Sequence, residues 1–137
     1  MICDVYFNLT KKLYSIRARE GDQKGRVIGH CKSVVMQNVA FKVSQASRNR
    51  VLRDKQKNVH AVARGVLVSA TGEGFTVNPD QVAPLDRLKQ NGKPFTYCPY
   101  RSGAFQTVES DGTYRDVQNA RELLLDTNGN RYLITTT

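Results

Sequence analysis

Apolar residues recur at every second position of this chain, in short runs broken by turn residues, and that rhythm is hard to house in anything but a β-sheet. Val5, Phe7 and Leu9 alternate with Asp4, Tyr6 and Asn8, the period of a half-buried strand. Tyr14, Ile16 and Ala18 alternate in the same way with Ser15, Arg17 and Arg19. Thr10-Lys11-Lys12 separates the two runs, so they read as a hairpin with Arg17 and Arg19 on its solvent face.

The rest of the chain continues in kind. Glu20–Gly25 is a polar loop, and Arg26–Lys32 a short strand with Gly29 as a bulge or close-approach point. Val34–Met36 and Val39–Val43 follow, with a bend expected at Gln37-Asn38. Val59–Val68 reads as a central strand, with His60, Val62 and Arg64 on one face. Thr71–Gly92 lapses into Gly, Pro and Asp and reads as a loop or lid, with a short helical turn at Val82–Lys89. Pro94–Tyr100, Ala104–Glu109 and Tyr114–Val117 are further short strands. Glu122–Asp126 and Arg131–Thr135 flank Thr127-Asn128-Gly129-Asn130, a hairpin signal because Asn and Gly both accept positive φ. The fold class expected is α+β, mainly antiparallel β-sheet with one or two short helices, in a single domain spanning 1–137.

Charge divides the chain where hydropathy does not. Residues 1–70 hold 14 Lys+Arg against 4 Asp+Glu, a net of +10, and residues 71–137 hold 7 against 8, a net of −1, which together give the formal +9. Most of the concentrated charge lies between Phe41 and Val68, read as strand, short cationic helix, strand. In the helix-like Ser44–Lys57 stretch, Arg50, Arg53 and Lys57 fall at i, i+3 and i+7 and would share one face. A solvated face accounts for such a stripe as well as a binding role does. Its neighbours of the same sign favour a partner that is a polyanion: nucleic acid or an acidic protein surface.

Other chemistries find little support. No run reaches the roughly 18 apolar residues of a membrane span, and MICDVYFNL lacks the basic start of a signal peptide. Cytoplasm is therefore the expected compartment, and no membrane partner is expected. Cys3, Cys31 and Cys98 show no CxxC spacing and read as buried thiols, with no metal and no cofactor expected. No phosphate-binding glycine loop, zinc-protease or serine-hydrolase motif occurs. A metal-free phosphodiesterase built on His60, with His30 and with Arg64 or Lys32, is conceivable, but nothing in the sequence brings the two histidines together. No catalytic residue is assigned.

Two segments carry a resemblance. Lys57-Asn58-Val59-His60-Ala61 followed by Arg64-Gly65, and Tyr97-Cys98-Pro99-Tyr100-Arg101 with Phe105 and Val108, resemble small phage-encoded accessory proteins of unassigned function. The likeness covers roughly residues 5–125, with Cys98 where Asn would be expected. It implies expression inside a bacterial host and a role exerted by binding.

The expected function is therefore non-catalytic nucleic-acid binding through Arg17, Arg19, Arg48, Arg50, Arg53, Lys55, Lys57, His60 and Arg64. Tyr6, Tyr14, Tyr97 and Tyr100 are candidate stacking groups, although a core tyrosine with a wet hydroxyl is the commoner use. The alternatives are a host-takeover or anti-defence inhibitor meeting an acidic site on a host protein, and the His60 phosphodiesterase. An edge strand after Thr135 would also suit a homo-oligomer.

Overall fold

The computed structural model of the chain describes residues 1–43, 49, 53, 61–72, 74–78, 82–97 and 105–135. Strands dominate: β1 (Ile2–Asn8), β2 (Leu13–Ala18), β3 (Val27–Val43), β4 (Ala61–Gly72), β5 (Thr76–Val77), β6 (Lys93–Tyr97), β7 (Phe105–Val108), β8 (Tyr114–Asp116), β9 (Asn119–Asp126) and β10 (Arg131–Ile134). One helix with defined bounds, α1 (Val82–Asn91), accompanies them among the described residues. Every strand pairing is antiparallel. The architecture is α+β and mainly antiparallel sheet, as the alternation implied.

The strand order is β5-β4-β1-β2-β3-β9-β10-β6-β7-β8, with an additional β3–β4 pairing. β1, β2, β3 and β4 thus close a ring of hydrogen-bonded neighbours. The opening hairpin forms as expected, pairing Asp4 with Arg17 and Tyr6 with Ser15. Asn8 Oδ1 tightens its turn by accepting the amides of Thr10 and Lys11, both at 3.0 Å.

The two short strands expected on either side of Gln37-Asn38 are one strand of 17 residues. It survives its irregularities because bulges absorb them: its register against β4 shifts at Cys31/Ser33, Val35/Met36 and Gln37/Ala40. Asn38 sits at φ 53°, so the bend falls where it was expected. It presses on Gly65, where a Cβ would stand 2.8 Å from the Gln37 carbonyl oxygen. Gly29 is likewise a close-approach point, because a Cβ there would meet the Phe75 ring at 2.4 Å.

The core has two compartments. In the larger, Cys3, Val5, Tyr14, Ile16, Val34, Met36, Leu123, Leu125 and Leu133 pack with Phe95 and Phe105. Tyr97 ties β6 over the ring: its hydroxyl donates to the Ala61 carbonyl at 2.9 Å and accepts the Phe7 amide at 3.3 Å. The smaller lies on the opposite face of β3 and β9, where Val35 and Leu124 receive Leu88 of α1. This double burial explains the unbroken Leu123-Leu124-Leu125 run.

The Thr71–Gly92 segment corrects an expectation. It is not a lid: β4 runs on to Gly72, β5 pairs back on it, and α1 docks through the fully buried Leu88. The Thr127–Asn130 turn is a hairpin as read, but only Gly129 takes positive φ. Asp126 Oδ1 holds it by accepting the amides of Asn128 and Asn130. No helix among the described residues is long and apolar enough to cross a membrane.

Candidate functional site

The outward positions of β1, β2 and β4 form a charged surface around Asp4. Alternation puts Asp4 and Tyr6 on the side of β1 away from Cys3 and Val5. Register then places Arg64 of β4 on one side of Asp4 and Arg17 of β2 on the other. Arg64 donates from Nε to Asp4 Oδ1 at 2.8 Å and from Nη2 to Oδ2 at 3.3 Å. Just past the end of β2, Arg19 brings Nη1 to 3.8 Å from Asp4 Oδ2. The Asp4 side chain is 7% exposed, against 39% for Arg19 and 35% for Arg64. One sunken carboxylate thus lies beneath guanidinium groups that reach solvent. The hydrogen bond to Asp4 raises the pKa of Arg64 further above its already high value.

Arg17 behaves differently. It is exposed and forms no ion pair among the described residues; its guanidinium carbon lies 5.6 Å from the centroid of the Tyr6 ring. This cation–π contact holds the charge over an aromatic face without neutralising it. Three arginines against one carboxylate leave the patch with a net charge of +2.

The next row across the sheet is Tyr6, Ser15 and His30. Ser15 Oγ lies 2.9 Å from His30 Nδ1 and also accepts from Asn8 Nδ2 at 3.2 Å. Ser15 is fully buried, so it cannot meet a substrate as a nucleophile, and the trio reads as a satisfied polar network.

Of the sequence-predicted site residues, Arg17, Arg19 and Arg64 are brought together. Their partner Asp4 was missed, because an acid 60 positions from Arg64 becomes its neighbour only through strand register. Arg53 is helical and exposed. Arg48, Arg50, Lys55, Lys57 and His60 lie outside the described residues, as do Tyr100, Cys98 and the edge expected after Thr135. Tyr14 and Tyr97 pack in or against the core, but protein groups rather than water meet their hydroxyls: Tyr14 donates to the Asp126 carbonyl and Tyr97 to the Ala61 carbonyl. A cation also missed in the sequence, Lys42, is exposed opposite Val62 of β4.

Cys3 and Cys31 are buried free thiols. Burial pushes their pKa values up to about 12 and about 11, so neither is a nucleophile near neutral pH. Among the described residues no three His, Cys, Asp or Glu side chains gather as a metal site would require.

A family model, that of the Mycobacterium phage L5 gene 82 protein, matches residues 2–133. The chain belongs to that family. The gene 82 protein of Mycobacterium phage L5 is 33% identical over 95 residues, which is 69% of this chain and 64% of that protein. The aligned stretch therefore spans a little under two thirds of the relative's length. No solved structure matches the chain. The resemblance to phage-encoded proteins is borne out, and neither name states an activity to carry over.

Proposed function

We propose that this member of the phage gene 82 family binds nucleic acid without catalysis, through the arginine face of β1, β2 and β4, in the cytoplasm of the bacterial host. The observation that carries the reading is the excess of guanidinium over carboxylate at Asp4. Arg17 above all stands over Tyr6 with no carboxylate partner among the described residues. A guanidinium presents five N–H donors. Arg64 gives two of them to Asp4, which fixes its plane and leaves three to aim at a phosphate. Positioned donors of this kind suit a phosphodiester backbone, since less side-chain freedom is lost on contact. Tyr6 adds a ring on which a base or a further guanidinium can stack.

Neutralising phosphates releases counterions, so affinity falls with salt at about 0.9 logarithmic units per contact. With three arginines engaged, the slope of log K against log salt should be about −2 to −3 from this face alone. A mobility-shift titration on random DNA and RNA at several salt concentrations reads it directly. A flat salt response, or binding indifferent to Arg17→Ala, would remove the arginine face from the site. Pull-down from nuclease-treated bacterial lysate provides the counter-test. A stoichiometric host protein, recovered with no nucleic acid bound by the pure chain, would shift the reading to an inhibitor of an acidic host surface.

A further inference from the structure

A groove of about 560 Å³ opens where β9 parts from the carboxy-terminal end of β3. β3 contributes Phe41 and Lys42 to its lining, β7 contributes Phe105, and residues 116–119 contribute Asp116, Val117 and Gln118. Its edge is held by backbone hydrogen bonds, Phe41 N to Gln118 O at 2.9 Å and Val117 N to Phe105 O at 3.1 Å. Phe41 and Phe105 stack at 4.0 Å with planes 24° apart, and Phe105 stacks on Tyr97 at 4.5 Å and 7°. The lining is thus apolar and aromatic, with polar groups at the rim: Lys42, Gln118 and Asp116 are all exposed. Asp116 accepts from Gln106 Nε2 at 2.9 Å through Oδ1, which orients its carboxylate, and Lys42 forms no ion pair among the described residues.

An aromatic wall, an amide and a carboxylate at the rim and one cation nearby are what an unstacked base needs: a π-face, edge partners and a phosphate contact. The groove also adjoins the arginine face. Ala40 pairs across β3–β4 with Arg64 and Lys42 with Val62, so both side chains lie on the arginine face about one cross-strand step of 5 Å away, while Phe41, paired with Ala63, turns to the other side of β3. A backbone crossing Arg17 and Arg64 meets Lys42 on the same face, and its base turns over the edge of β3 that β9 has left to reach Phe41. We propose that the groove takes one unpaired base of a single strand, with its phosphate on Lys42. This rests on the nucleic-acid reading and narrows it to single-stranded polymer.

The test compares a fluorescent 12-nucleotide single strand with a duplex of the same sequence, for the wild type, Lys42→Ala and Phe41→Leu. The wild type should prefer the single strand by about tenfold, the scale of one base stacked on an aromatic ring. Phe41→Leu should remove most of that preference, and Lys42→Ala should lower single-strand affinity about threefold. Duplex affinity, carried by the arginine face, should stay put in both. Should Phe41→Leu fold poorly, Lys42→Ala alone decides. Equal affinity for the two polymers, or a single-strand affinity untouched by Lys42→Ala, overturns the groove while leaving the arginine face standing. Binding of neither polymer overturns both.

Discussion

Among the described residues two carboxylates are sunk in this sheet under arginine, and they differ in how they are answered. On the face covered by α1, Glu122 of β9 is 8% exposed in its side chain and Arg87 of α1 grips it with both Nη atoms, Nη1 to Oε2 at 2.6 Å. One guanidinium grips the carboxylate directly, Arg121 stabilises its charge from nearby, and Leu88 is fully buried. On the open face, Asp4 is equally sunken but stands among Arg19, Arg64 and Arg17. The first arrangement is closed in that Arg87 spends both Nη atoms on Glu122 and so docks a helix. The second is over-supplied. That charge exceeds what anchoring Asp4 requires, which is why the open face carries the proposed binding role.

The sharpest way to separate the faces is to damage each alone. Leu88→Ala should cost about 2–4 kcal/mol by emptying the smaller core, seen as a fall in the thermal midpoint of several degrees. Nucleic-acid affinity at low temperature should be unaffected. Asp4→Asn comes next and carries the opposite signature. It should cost about 1–2 kcal/mol of stability, through lost charge-assisted hydrogen bonds, yet raise affinity roughly threefold and steepen the salt slope by about one. If Asp4 were the twin of Glu122, stability alone would change.

Arg17→Ala is smaller again. Its side chain is exposed, so stability should stay within about 0.5 kcal/mol of wild type, while affinity in the mobility-shift titration drops roughly fivefold. The mildest test concerns pH. The Arg87 hydrogen bonds hold the Glu122 carboxyl below its ordinary 4.5, against an opposing push from burial. A depressed folded value adds stability above the unfolded value and loses it as pH falls through the folded one. Denaturant midpoints should therefore decline below about pH 4.5 in the wild type, and Arg87→Gln should flatten that part of the acid limb.

The sequence made the strands legible wherever one face met water. Val5–Leu9, Tyr14–Ala18 and the Asn-Gly turn declare themselves through alternation and turn chemistry, and the structure keeps them. It was less legible where both faces are covered. β3 reads as pieces because its bulges break the period of two, although hydrogen bonding to β4 and β9 carries it through. α1 was reduced to a turn because Pro84 and its mixed polarity weaken the helical signal; among the described side chains the apolar contact that anchors it is Leu88. For the site, Arg17 and Arg19 were visible on a hairpin's solvent face. Asp4 was not, because its hydrogen-bonded partner Arg64 arrives from a strand 60 positions along the chain, and that knowledge resides in register alone.

β3 separates two interiors. Val34 faces one and Val35 the other, and Leu125 and Leu124 answer them from β9. Neither half of the polypeptide, basic or neutral, owns an inside of its own: divided between β4 and α1, each fragment would leave a wall of aliphatic side chains facing water. Co-expressed halves would then be expected to recombine or precipitate, and an insertion placed in β3 would harm both compartments at once.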